Sequence, residues 1–120
     1  MRIDPYGNVG IGTSIINERL SVNGNIRAKE VKIETTNWPD YVFKPDYKLP
    51  SLESIAAHIK EKGHLPNIPS TAEVAKDGIA LGEMNKKLLE KIEELTLYMI
   101  EMKKENNELK QRIEKLENKK

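Results

Sequence analysis

The sequence predicts an α+β fold class: a glycine-rich β-stem, a small α+β cap and then one long C-terminal helix built to associate with copies of itself. Three observations carry that prediction. Glycines at 7, 10 and 12 alternate with Val9 and Ile11 near the start of the chain. Helix-start and helix-stop residues bracket two short stretches in the middle, Ser51 to Gly63 and Ser70 to Gly78. From Leu81 to Leu116 apolar residues recur in an unbroken 4-3 pattern. The divisions that follow are 1–34, 35–80 and 81–120.

In residues 1–34, GNVGIGT has the pattern of a strand whose backbone is closely approached by another. Leu20 and Val22 lead into Asn23-Gly24, the dipeptide best suited to a two-residue hairpin turn with positive φ at both central positions, and Ile26 and Ala28 follow. The alternation changes phase before Val31 and Ile33, which predicts a bulge near Lys29 or Glu30. The segment has too little apolar mass to stand alone, so it is expected to intertwine with the same segment of other chains.

The cap, 35–80, begins with the aromatic stretch NWPDYVFKPDYKLP, in which Pro-Asp-Tyr occurs at 39–41 and again at 45–47. Its prolines impose turn or extended geometry. Ser51 then caps a helix whose Leu52, Ile55, Ala56 and Ile59 share one face, and Gly63 ends it. After Pro66 and Pro69, Ser70-Thr71-Ala72-Glu73 is a capping box that starts a short helix around Val74. Asp77-Gly78 turns the chain into the long helix.

In that helix Leu81, Leu88, Leu95, Met102, Leu109 and Leu116 fall seven apart, and Asn85, Ile92, Met99, Asn106 and Ile113 fall seven apart between them. They are the d and a positions of a coiled coil, which spans roughly 50 Å at 1.5 Å per residue. In a parallel, in-register assembly each g residue meets the e residue five positions on in the next chain. Glu105 then faces Lys110 and Arg112 faces Glu117, both attractive. Such exposed pairs contribute only about a few tenths of a kcal/mol, so they select orientation more than they stabilise. Asn106 at a penalises slipped registers.

Strand number stays open between dimer and trimer. Ile at a, Leu at d and a buried Asn favour two strands, whereas Leu89 and Thr96 at e and Tyr98 at g widen the strip as a trimer or larger bundle requires. Leu97 and Ile100 fall at f and b, on the outside, where the rest of the same chain is expected to cover them. Beyond Met102 the outer face is polar and projects into water.

Composition excludes several classes of function. A formal net charge of +1 offers no clustered basic surface for nucleic acid. No apolar run is long enough to insert in a membrane, and Arg2 and Asp4 precede no segment of signal-peptide type. The absence of cysteine removes disulfides, thiolate catalysis and cysteine metal sites.

No catalytic, cofactor-binding or metal-ligating set emerges. His58 lies on a helix and His64 beyond its terminating glycine, so with Glu61 they form no His pair of metal-ligand spacing. Asp40 and Asp46 flank aromatics as a sugar-hydrolysing carboxylate pair would, but each follows a proline and reads as a turn former. Trp38, Tyr41, Phe43 and Tyr47 read first as packing for the cap, and second as a stacking platform for a glycan.

Taken together, GNVGIGT, RLSVNGNIRAKEV, WPDYVF, HLPNIPS and GEMNKKLLEKIEELTLYMIE resemble the C-terminal domains of phage tail-fibre-like proteins, in the form common among Bacteroidetes and their phages. The layout is also similar to a divergent relative of the intramolecular chaperone domain of tail fibres and tailspikes. The resemblance runs over nearly the whole chain. It implies a parallel homotrimeric coiled coil that helps the upstream fibre of the same chain to trimerise and fold. The location it implies is a virion tail fibre, or a bacterial cell surface or secreted protein, with a receptor or glycan as a fibre tip's further partner. Self-cleaving members use a Ser, usually followed by Asp, with a Lys a few residues on. The comparable place here, NIRAKEVKIE, has no Ser, and Ser21 lies before the turn with no Asp after it. That departure implies a module that does not cleave itself.

Overall fold

The computed structural model describes residues 1–119. It has a small three-stranded sheet, short helices and one long C-terminal helix, in keeping with the α+β class. The chain divides into two compact units, Met1–Lys32 and Ile33–Lys120, so the cap and the long helix share the second.

The first unit holds β1 (Arg2–Ile3), β2 (Val9–Ile11) and β3 (Leu20–Val22) in the order β1-β2-β3. β1 and β2 pair antiparallel, with Arg2 opposite Gly10, whereas β2 and β3 pair parallel, with Gly10 opposite Ser21. Asp4 builds the first turn: its Oδ1 accepts from the backbone N–H of Tyr6 and of Asn8, both at 2.9 Å, while Gly7 takes a left-handed φ of 82°. The Asn8 N–H, foremost among these donors, holds the Asp4 carboxyl below the ordinary carboxylate range. Gly10 is buried, and a Cβ there would meet the Thr13 carbonyl oxygen at 2.6 Å and Ile16 Cγ1 at 2.9 Å. The close approach read from the glycine pattern is this loop, folded over β2.

The hairpin expected at Asn23-Gly24 is not formed. The Asn23 N–H donates to the Ile11 carbonyl at 2.9 Å and so extends the parallel pairing with β2. Gly24, at φ 157°, is nearly extended, and Asn23 has no positive φ, so the two positive values a tight hairpin turn requires are absent. Residues 23–32 contain no strand, and with it goes the bulge near Lys29 or Glu30.

The second unit follows the sequence closely. A 3-10 helix covers Pro39–Phe43, then come α1 (Leu52–Lys62), α2 (Thr71–Asp77) and α3 (Leu81–Asn118). The Ser51 hydroxyl accepts from the Ser54 N–H at 3.1 Å to start α1, and Gly63 in the left-handed region ends it. Ser70 and Glu73 form the predicted capping box of α2, and Gly78 terminates it. The 38 residues of α3 extend about 57 Å. Gly82 in its first turn leaves room for Ile33, whose Cγ2 would lie 2.6 Å from an added Cβ.

Candidate assembly interface

The heptad sorts the side chains of α3 into a seam at a and d and an outer surface at b, c and f. Along the seam Leu81, Leu88, Ile92, Leu95, Met99, Met102, Leu109, Ile113 and Leu116 are all between 49% and 69% exposed. Asn85 and Asn106 are exposed as well.

The cap is fastened elsewhere. The 3-10 helix packs on α3, and the Tyr41 hydroxyl donates to Glu90 Oε2 at f. Tyr47 donates to Glu94 Oε1 at c, 3.2 Å away, and the Tyr98 hydroxyl at g donates to the Pro50 carbonyl. Lys86 Nζ at b donates to the Thr36 carbonyl at 2.7 Å and pairs with Glu83 at 2.8 Å. Each of these anchors lies at b, c, f or g. The chain that folds back onto its own helix is therefore fastened to the flank and outer surface and leaves the apolar a and d side chains about half-exposed or more.

This covering produces unusual burial for acidic residues. Glu94 is 3% exposed, but Tyr47 and the Lys91 ammonium, 3.2 Å away, satisfy it. Glu93 at b is 7% exposed and its Oε2 has no hydrogen-bond partner. Burial, reinforced by the charges of Asp40 and Glu90, pushes its carboxyl above the ordinary range. The hydrogen bond to Glu90 pushes the Tyr41 hydroxyl up to about 12, and burial first, then Glu94, raises those of Tyr47 and Tyr98.

The aromatic residues divide. Tyr41 and Tyr47 lie with ring centroids 5.9 Å apart and are tied to α3, whereas Trp38 and Phe43 are 52% and 53% exposed. The buried apolar side chain of the cap is Val42, at 1%. A 3-10 helix repeats every three residues, which puts Pro39 and Val42 on one side and leaves the flanking Trp38 and Phe43 turned outward. That period after Pro39 is the signal by which Val42 could have been found. Leu97 is half-buried, but Ile100 stays 60% exposed, so the expected cover reaches the first and not the second. From Met99 onward every described residue of α3 is exposed.

Beside the aromatic stretch a cleft of about 310 Å³ is lined by Asn37, Tyr41, Asn67, Lys86, Lys87 and Glu90, among others. Asn37 and Asn67 both have left-handed φ, 57° and 64°. His58 and His64 meet edge to face at 5.4 Å, and among the described residues no three His, Asp or Glu are placed to hold a metal ion. No described helix is long and apolar enough to cross a membrane. Compared with known proteins, the chain matches no family model, no curated protein and no solved structure.

Proposed function

We propose that this chain is a structural self-association module in which three copies join in parallel through the α3 seam. The cap rides on the outside of the upper stem, and the first unit continues an upstream fibre of the same chain. The observation that supports this reading is the division of α3: its apolar seam is about half-exposed or more over its whole length, while the hydrogen bonds that fasten the cap fall at b, c, f and g. A stripe of half-exposed Leu, Ile and Met side chains is expensive to leave in water, and burying the rest of each contributes about 1 kcal/mol. A second copy with the same heptad is the partner that fits every position of it.

Three strands rather than two follow from the resemblance to trimeric tail-fibre domains and from the breadth that Leu89 and Thr96 add to the upper seam. Aligning three chain ends raises the effective concentration of the upstream strands and favours their slow non-local pairing, which is a folding role. We place the module in a virion tail fibre or on a bacterial surface, and read it as one that does not cleave itself because NIRAKEVKIE holds no Ser and Ser21 has no Asp after it. Replacing Ile92 and Leu95 together with Asp tests the reading. The doubly substituted chain is expected to run as a monomer in light scattering, and a stable trimer would overturn the proposal.

A receptor- or glycan-binding tip is the second reading, and a specific observation favours it. Trp38 offers an exposed aromatic face close in sequence to Asn37 and Tyr41, which line a polar cleft. Titration with host-surface glycans should then quench Trp38 fluorescence, and Trp38→Ala should remove the binding without changing the oligomer.

A further inference from the structure

We propose that in the assembled form the apolar pocket between α1 and α3 receives Ile100 of a neighbouring copy, so that each cap sheathes two helices, its own and the next. This rests on the parallel self-association proposed above. The pocket, about 110 Å³, is lined by Leu52, Ile55, Leu65 and Pro66 on the cap side and by Leu95 and Tyr98 of α3. It is smaller than the roughly 150 Å³ that accommodates a benzene ring, and suits a branched aliphatic side chain.

Position on the helix decides which side chain arrives. The α3 residues that line the pocket, Lys91, Glu94, Leu95 and Tyr98, occupy g, c, d and g. In a parallel assembly this flank faces the e and b flank of the next helix, because g of one chain meets e of its neighbour. Ile100 at b is on that opposite flank and is 60% exposed, uncovered by its own cap. At 100° per residue it stands about 160° around the helix from Tyr98, so it cannot turn into the pocket of its own chain.

The axial register agrees. Lys91 and Tyr98 bound the pocket along the helix, and five residues on from them are Thr96 and Lys103 of the neighbouring copy. Ile100 is the apolar residue between those two on the same flank, and its side chain leans toward the helix N-terminus, back toward the pocket. An antiparallel pair would instead bring g to g, set cap against cap and leave Ile100 bare.

The chain has no cysteine, so two single-thiol proteins can report the contact. Leu65→Cys protein is refolded together with Ile100→Cys protein, the oligomer is isolated and oxidised, and disulfide-linked pairs are counted under non-reducing conditions. Leu65→Cys mixed with Glu101→Cys, at c, is the control. The expected result is a Leu65→Cys to Ile100→Cys link that clearly exceeds the control; a mixed oligomer without that link overturns the pocket proposal alone. If the unsubstituted chain is a monomer, the self-association reading falls and the pocket proposal with it. In a second measurement Ile100→Lys should raise the concentration at which the oligomer dissociates by about tenfold or more, as loss of one buried aliphatic side chain per copy implies. Unchanged dissociation would contradict the proposal.

Discussion

The two halves of α3 carry one heptad in two different settings. From Leu81 to Leu97 the cap covers the outer surface and buries Glu93 and Glu94. From Met102 to Asn118 the helix is exposed on every side, and its outer face is Lys, Glu, Asn and Gln. A lone helix of that length is marginal in water, because few hydrogen bonds offset a costly nucleus. The upper half thus has tertiary support within its own chain, while the lower half has only its seam to stabilise it. Under the proposed assembly, self-association is a convenience for the upper half and a condition of folding for the lower.

The largest effect expected is on the lower half. Leu109→Asp with Ile113→Asp places charges where apolar side chains should meet, a penalty of several kcal/mol. Hydrogen exchange should become fast from Met102 to Asn118 while the amides of upper α3 stay protected. Equal loss along the whole helix would erase the distinction between the halves.

Next in size is Val42→Ala, expected to cost about 2 kcal/mol by opening a hole under the 3-10 helix. This change should loosen the cap, seen as Tyr41 and Tyr47 becoming titratable nearer their ordinary range, and leave the oligomer mass unchanged. Asn106→Ile sharpens the comparison in the other direction. It should stabilise the lower seam by about 1 kcal/mol or more by removing a polar group from an apolar layer, and spin-label distances between copies should show slipped registers alongside the aligned one.

Glu93 gives the smallest effect and the one with a pH signature. Its carboxyl binds a proton more tightly folded than unfolded, so the stability it contributes is present below the ordinary carboxylate pKa and lost as pH rises through its raised value. At neutral pH it is a burden on the upper half. Glu93→Gln should raise the melting free energy by about 1 kcal/mol at pH 7, and the difference should vanish in acid. A gain that persists unchanged in acid would mean the charge is not its cause.

The features legible in the sequence are those set by neighbours along the chain. Ser51 and Gly63, Ser70 and Glu73, and Gly78 act within a few residues of themselves, and each does in the structure what its type predicts. The heptad is local in the same sense, and the extent of α3 follows from it. The first unit was harder to read because strand pairing is a choice between distant partners. Asn23-Gly24 favours a hairpin intrinsically, yet β3 satisfies its backbone along β2. In the cap, aromatic mass suggested a core, but the three-residue period of the 3-10 helix selected Pro39 and Val42 and turned Trp38 and Phe43 outward. The cap's use of Tyr-to-Glu hydrogen bonds to grip α3 depends on which heptad positions it meets. Spacing within α3 alone does not specify that.

Sedimentation equilibrium over a wide concentration range tests the central claim most directly. The account predicts a mass of three times 13.7 kDa that persists on dilution. A monomer at all concentrations would contradict it, and a dimer would contradict its strand number.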